Sequence, residues 1–397
     1  MGRSEGHVKV RLCEVENVPG FLRNSKNVTP GSIIRPEALE SCIREGVDGW
    51  VKGRKDMILH RDIDLCYGGR DDVNNLAMTT NEVRNCFRKY SKLIEVPIDR
   101  NPGATLLLCP VLYHRAYLET FNRNHSFRVV QRSEDQVRTK MKEDYVEGGL
   151  NRIARWQTGG KISQAYVLPK DKDLDRWRPI SPCTTDPARV AAARVGRAVR
   201  YMLFGLRRAE HFDLKSMDEL GERCRGIQRE FRARGDVAIA RSYHIKDMFA
   251  RLSHEKVMEA VDWVISYHER KGLKGVRVSM RGKLCAMVRK VRKEDGFVVM
   301  KFEDIKREVA FELSHSFVRC AGSIMVQRFG IPMGRNYSPA LACLVCAMAE
   351  SAFMKRAVGE EVAIRGMRMI DDVAVMVGCA SDRPETFRKA IRILDVF

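Results

Sequence analysis

The sequence predicts a chain of mixed helices and strands folded into two or three subdomains, and three observations lead there. The chain has 397 residues, too many for one small core. Hydrophobic residues make up 44% of it, enough to bury a substantial interior. Apolar residues recur at helical spacing in some stretches and form short strand-like runs in others, with turn formers between them.

Residues 1–30 are polar and rich in turn formers. From Pro36, the residues Leu39, Cys42, Ile43, Val47, Trp50 and Val51 follow helical spacing, and this helix closes before the charged stretch KGRKDMILHRDIDL. Residues 54–90 have a mixed pattern that assigns no element. The turn former DRNPG (99–103) precedes a strand-like run, ATLLLCPVLY (104–113). KISQAYVLPKDKDLDRWRPISP (161–182) reads as strand, basic loop and strand. Asp186 and Pro187 supply an N-cap and a first residue for a helix that begins ARVAAARVGRAVRYMLFGL.

DVAIARSYHIKDMFARL (236–252) contains a buried-strand candidate, and Ser253 can cap a helix with Val257, Val261 and Val264 inward. Residues 269–301 are rich in Lys and Arg and read as a basic loop or hairpin. In FGIPMGRNYSP (329–339), Ser338 and Pro339 start another helix. MRMI and VAVMV flank Asp371 and Asp372, a hairpin pattern with two carboxylates at its tip. A last helix starts near Ser381 and Pro384, with Phe387, Ala390, Ile391 and Leu394 inward.

The 71 Lys and Arg against 51 Asp and Glu leave a formal charge of +20. Such an excess suits a phosphate-rich partner, because Lys and Arg displace condensed counterions from nucleic acid; a ribosomal or membrane-surface protein would have the same balance. No apolar run reaches the roughly 18 residues of a membrane span, and MGRSEGHVKV lacks the apolar stretch of a signal peptide, so an intracellular protein is expected. The twelve cysteines then read as reduced thiols. The one CxxC, Cys343 to Cys346, lies in the apolar run LACLVCAMAE and reads as helix packing before metal or redox chemistry.

Adjacent Asp residues in a tight turn repel each other unless a cation intervenes, although Asp is also common in turns for local reasons. If functional, Asp371 and Asp372 suit Mg²⁺, a hard ion that takes oxygen ligands and substrate phosphates. Two such ions about 4 Å apart can activate a 3′-hydroxyl and stabilise leaving pyrophosphate. Lys170, Lys172, Arg176 and Arg178 surround a hairpin where they could clamp a triphosphate. Arg194, Arg197 and Arg200 stand three apart on one helix face, as a solvated stripe or as contacts to a nucleic-acid backbone. The glycines of GIPMG permit close backbone approach to a base pair or template strand.

Together these residues resemble reverse transcriptases, the RNA-directed DNA polymerases. VQRFGIPMGRNYSPALACL (326–344) resembles the family's Q-x-x-G-h-x-M/Q-G-x-x-x-S-P motif, h being apolar. RMIDDVAVMV (368–377) looks like its Y-h-D-D motif, with Met369 in place of Tyr. PIDRNPGATLLLCPVLYHRAYLETF (97–121) is similar to the D-K-G-x-x-h-V stretch of Penelope-like elements, so the Penelope-like and telomerase-type relatives are the preferred ones. The resemblance spans residues 97–397 and leaves 1–90 unassigned.

The resemblance implies an α+β right-hand polymerase fold: an N-terminal extension at 1–90, fingers at 91–235 and palm at 236–397. The chain ends at IRILDVF, one helix past the hairpin, so no residues are expected for a thumb, and an accompanying endonuclease motif is missing. Implied partners are an RNA template, a DNA primer and dNTPs; the implied cofactor is Mg²⁺ or Mn²⁺, and the implied location is nuclear. Asp371 and Asp372 would be catalytic metal ligands, Asp371 the more direct. The third palm carboxylate normally opens D-h-x-x-h-F/Y, but here the run is His244-Ile245-Lys246-Asp247-Met248-Phe249. Imidazole is a poor Mg²⁺ ligand. Asp247 would replace it only with a rearranged backbone, and otherwise is a turn or surface residue.

Phe249 would exclude a ribose 2′-hydroxyl by overlap, or is ordinary core. Lys170 and Arg178 would hold the nucleotide's phosphates, with Met333 and Gly334 near the incoming base. Gln327 would touch template or support its loop, and Arg194, Arg197 and Arg200 would meet template or primer. His244 also motivates an alternative, a catalytically inactive reverse-transcriptase-like protein that binds nucleic acid. A third reading, an RNA-dependent RNA polymerase, is disfavoured by Phe249.

Overall fold

The computed structural model describes residues 6–16, 36–51, 80–100, 104–207, 210–356 and 362–397. Its strands are β1 (Lys9–Arg11), β2 (Ile94–Pro97), β3 (Thr105–Leu108), β4 (Phe127–Val130), β5 (Tyr166–Lys170), β6 (Asp173–Ile180) and β7 (Asp236–His244). They continue with β8 (Gly275–Ser279), β9 (Cys285–Val288), β10 (Phe297–Lys301), β11 (Phe317–Cys320), β12 (Ser323–Gln327), β13 (Ala363–Met369) and β14 (Asp372–Ala380). The α-helices are α1 (Pro36–Val51), α2 (Thr80–Lys89), α3 (Pro110–Tyr117), α4 (Glu134–Glu147) and α5 (Arg189–Phe204). After them come α6 (Glu219–Ala233), α7 (His254–Glu269), α8 (Phe302–Ser314), α9 (Ser338–Arg356) and α10 (Pro384–Val396). Residues 101–103 of the DRNPG turn and most of residues 54–90 lie outside the described residues.

The chain forms two compact units, one of Met1–Leu118 with Val167–Arg178, the other of Glu119–Tyr166 with Pro179–Phe397. In the first, an antiparallel sheet runs β1-β3-β2. Its central strand is apolar on both faces: Leu106 and Leu108 pack with Val96 and Ile98, and Leu107 packs with Leu12. The strand ends sooner than the expected 104–113 run, because Pro110 sits in the first turn of α3, where its missing N–H costs nothing. The β5–β6 hairpin is a two-stranded sheet of its own that packs beside this one. Lys9 pairs with Asp175, Arg11 with Asp171, and Arg178 with Asp99 at 2.9 Å, while Trp177 packs against the Leu106 side.

The second unit shares one core among α4, α5, α7, α8 and α9. Val195 and Val199 of α5 meet Val257 and Val261 of α7 and Leu341 and Leu344 of α9. Residues 235 and 236 both lie in this second unit, and residues 90 and 91 both lie in the first. By length and composition α9 could cross a membrane, contrary to the expectation that no segment would; its residues are mostly buried in this core. Within it, burial pushes the Cys343 and Cys346 thiols up to about 11 and about 12, as packing residues would be. Helix α5 starts at Arg189, later than Asp186 was expected to set it. Asp186 Oδ1 accepts from the Ala188 N–H at 2.9 Å in the preceding turn, and Oδ2 takes the Arg335 guanidinium at 3.0 Å. The basic stretch 269–301 forms a sheet of order β10-β8-β9 with Val276 and Val278 fully buried, more than the loop or hairpin expected.

The sheet that positions the site runs β13-β14-β7, all antiparallel. Alternation along β14 separates two faces. Val373, Val375, Val377 and Cys379 meet Phe212, Phe353 and the inner residues of α10, whereas Met376 joins Met367, Ala363 and the Ile227 and Phe231 side of α6. Strand β7 was expected to be buried; its residues are exposed or half-buried, as suits the outer strand of three. In α10 the inward residues are Thr386, Ala390, Ile393 and Leu394, spaced as one helical stripe, and Phe387 is 49% exposed, not inward as expected.

Candidate active site

The register of β7 against β14 places His244 directly opposite Asp372, so both side chains leave the same face of the sheet. The β13–β14 turn consists of Ile370 and Asp371, and the N–H of Ile245 donates to the Asp371 carbonyl at 2.8 Å, tying the end of β7 to that turn. The hairpin tip thus gathers three potential ligands. His244 Nδ1 lies 3.0 Å from Asp372 Oδ1, and His244 Nε2 lies 3.9 Å from Asp371 Oδ2. One ligand atom from each of His244, Asp371 and Asp372 falls within 4.8 Å of the others, and among the described residues this is the cluster of potential metal ligands.

An ionised carboxylate only accepts hydrogen bonds, so Nδ1 of His244 carries the proton it gives to Asp372. The carboxylates of Asp371 and Asp372 fit Mg²⁺ or Mn²⁺, which prefer oxygen. The imidazole occupies one Asp372 oxygen and contributes no negative charge, so the set is weaker than three carboxylates. Asp371 is the shielded member, its side chain 18% exposed against 76% for Asp372.

Asp247 stands outside this cluster, exposed in the turn after β7 with φ +54°, so the backbone does not carry it to the position that His244 fills. Phe249 follows in the same turn, half-buried against the core. The GIPMG loop docks there: the Gly330 N–H donates to the Leu252 carbonyl at 3.0 Å, and the Ile331 N–H to the Phe249 carbonyl at 2.8 Å. Gly330 has φ +74°, and a Cβ on it would stand 2.9 Å from the Phe249 and Ala250 carbonyl oxygens, so only glycine fits. At the other end of the loop, the Ser181 N–H donates to the Met333 carbonyl at 2.7 Å, and Ile180 packs at Gly334. Two segments singled out separately in the sequence, RPI and GIPMG, thereby meet.

Gln327 is 6% exposed and donates from Nε2 to the Phe329 carbonyl at 3.0 Å; of its two expected roles, this one is loop support. Lys170 and Arg178 belong to the first unit, where Arg178 is engaged by Asp99 and residue 170 forms a bridge with residue 99. The three arginines of α5 bind backbone carbonyls: Arg194 that of Ile153, Arg197 that of Gly282, and Arg200 that of Lys215. Burial and the neighbouring Arg197 lower the Arg194 pKa.

Sequence reasoning missed the support beneath the Asp pair. Arg368 is fully buried and donates Nη1 to the Ile370 carbonyl at 3.2 Å, bracing a residue held at φ +57° immediately before Asp371. Its Nη2 reaches the Cys343 carbonyl at 3.1 Å, Nη1 pairs with Asp213 at 3.2 Å, and Nε donates to Glu350. Glu350 also accepts the Phe212 N–H at 2.8 Å. Burial opposes the Arg368 charge, but Glu350 and Asp213 outweigh it and hold the guanidinium above its usual range. Burial raises both carboxyls. The available signal was a charged residue at an inward position of an apolar strand.

No protein-family model matches the sequence, and no curated protein does. Solved structures do. Telomerase from Candida albicans in complex with a TWJ fragment of telomeric RNA is similar with a TM-score of 0.53 at 11% identity, over 79% of this chain and 48% of that one. Apo telomerase from Candida tropicalis gives 0.52 at 10% identity over 87% and 53%, and telomerase from Candida tropicalis with a TWJ fragment gives 0.51 at 12% identity over 95% and 62%. The likeness is one of fold, a mixed α and β chain similar to a right-hand polymerase. The chain spans about half to three fifths of the length of these structures.

Proposed function

We propose that this chain carries a reverse-transcriptase domain that extends a DNA primer on an RNA template. The observation that carries the reading is the convergence of Asp371 and Asp372 with the end of β7 at one hairpin tip. In this reading residues 91–235 supply fingers and 236–397 the palm. Asp371 and Asp372 would hold Mg²⁺ or Mn²⁺, which when bound would supply Lewis-acid activation of the primer 3′-hydroxyl and charge neutralisation for the leaving pyrophosphate. The 3′-oxygen attacks the α-phosphate of the dNTP, the bond to pyrophosphate breaks, and a phosphodiester forms. Met333 and Gly334 flank the incoming base, and Phe249 crowds a ribose 2′-hydroxyl. Two solved neighbours are bound to a TWJ fragment of telomeric RNA, which supports RNA as a partner of this chain. The Penelope-like subgroup rests on residues 97–121, and the nuclear location on the family resemblance alone.

Purified protein given primed RNA, dNTPs and Mg²⁺ or Mn²⁺ should extend the primer, and Asp371→Asn should abolish extension. Wild-type protein that extends nothing under either ion would refute the enzymatic reading. His244 favours a second reading, a domain that grips nucleic acid without chemistry. It predicts salt-sensitive binding and no extension even in His244→Asp; extension restored by that substitution would exclude it.

A further inference from the structure

Arg335 follows the GIPMG loop directly and is only 4% exposed, although Gly334 before it and Asn336 after it are both exposed. Its guanidinium reaches three elements. Nη1 donates to Asp186 Oδ2 in the turn before α5 and to Glu312 Oε2 of α8, both at 3.0 Å. Nη2 donates to the Phe317 carbonyl of β11 at 3.2 Å. Both carboxylates are themselves buried, and all four residues belong to the second unit.

Stability does not explain a charge in this place. Replacing a buried ion pair whole with apolar side chains of similar volume is commonly neutral or stabilising. What a guanidinium adds is direction, because its planar fork meets several acceptors at fixed angles. That direction is imposed on the backbone beside it. Gly334 has φ +105°, and a glycine has many other conformations open to it, so contacts outside the residue must select one. The start of the loop is fixed separately: Gly330 and Ile331 dock on the Phe249 turn, and His254 Nε2 lies 3.0 Å from the Gly330 carbonyl. The Ser181 N–H holds the Met333 carbonyl, and Arg335 holds the far end. Gly334 lines a concavity of about 330 Å³, so its backbone is open to a bound molecule.

We infer that Arg335 is a positioning residue for nucleotide selection, its three-way anchorage fixing the Gly334 backbone against which the incoming base pair is fitted. The inference rests on the polymerase reading, in which Gly334 flanks the base. Arg335 acts through the loop and touches no substrate.

The test is single-nucleotide primer extension by the full chain on primed RNA, with the matched and with a mismatched dNTP. Two variants separate geometry from stability. Arg335→Lys keeps the charge and loses the fork. The triple variant Arg335→Met, Glu312→Met, Asp186→Asn removes the ion pairs together, strands neither Asp186 nor Glu312 as an unpaired buried charge, and keeps an acceptor for the Ala188 N–H. Both should show wild-type circular dichroism. Both should raise the KM for the matched dNTP by about tenfold with kcat within about twofold, and lower the matched-to-mismatched ratio of kcat/KM by about tenfold. A merely structural role would shrink the active fraction, and so lower kcat at unchanged KM and unchanged discrimination. That result, or wild-type KM and discrimination in both variants, would overturn the inference and leave the polymerase reading standing. Failure of the wild type to extend any primer would overturn the polymerase reading, and this inference with it.

Discussion

His244 Nδ1 stands 3.0 Å from Asp372 Oδ1 across the β7–β14 register, a hydrogen bond at the position where a metal site of this geometry would gain most from a third carboxylate. His244→Asp exchanges a ring nitrogen donor for two oxygens and a negative charge. It should tighten Mn²⁺ binding by about tenfold or more, since ligand charge count sets affinity for hard cations. Isothermal titration with Mn²⁺ measures this; equal affinity in the two proteins would mean that the cluster does not hold the ion.

Arg368 is the buried cation on which the hairpin tip rests, paired with Asp213 and Glu350 and bonded to the Ile370 carbonyl. Arg368→Met fills similar space but strands two buried carboxyls. Breaking such a pair from one side costs about 3–5 kcal/mol. Chemical denaturation should read a loss of that size. Adding Glu350→Gln should return part of it, because a neutral amide is less costly to bury alone. A loss under about 1 kcal/mol in the single variant would show the network to be solvated.

Gly330 and Gly322 offer a matched comparison. Both have positive φ, +74° and +84°, but a Cβ on Gly322 would meet nothing within 4 Å, while on Gly330 it meets two carbonyl oxygens at 2.9 Å. Gly322→Ala should cost only backbone strain, about 1 kcal/mol, and Gly330→Ala about 1–3 kcal/mol more as the GIPMG loop is pushed off the Phe249 turn. Faster limited proteolysis near residue 250 in Gly330→Ala alone would report that displacement. Equal stability of the two variants would deny the tight docking.

Much of the site was legible because its signals are local. Asp371 and Asp372 between two apolar runs specify a hairpin tip, and Ser253 before a valine stripe specifies a capped helix whose side chain accepts the Lys256 N–H. What failed depends on long-range packing. Phe387 has the spacing of an inward residue, yet the stripe that packs is turned by one residue toward Thr386 and Ile393. Strand β7 has the apolar content of a buried strand, but burial is decided by its place at the outside of the sheet. The partners of Arg368 lie 18 and 155 residues earlier in the chain, at Glu350 and Asp213, and no periodicity within β13 points to them. The grouping of β5 and β6 with the N-terminal strands rests on ion pairs such as Arg11 with Asp171, which spacing cannot reveal.

His211 gives the fold a pH dependence of definite sign. It is 4% exposed, accepts the Asp213 N–H through Nδ1 at 3.1 Å, and has its pKa pushed down to about 4 by burial, then by Arg368 and Arg223. Its unfolded value is the ordinary 6.5. Between those values the unfolded chain binds the proton and the folded chain does not, so stability rises with pH through the window. The contribution is complete above 6.5 and is lost as pH falls toward 4, on the order of 3 kcal/mol in all. His211→Asn keeps an acceptor for the Asp213 N–H and removes the titration. Urea unfolding at pH 4.5, 5.5 and 7 should therefore give a wild-type curve that drops more steeply with acid than the variant's. Parallel curves would mean that His211 is protonated in the folded protein, and that the segment beside Arg368 is open to water.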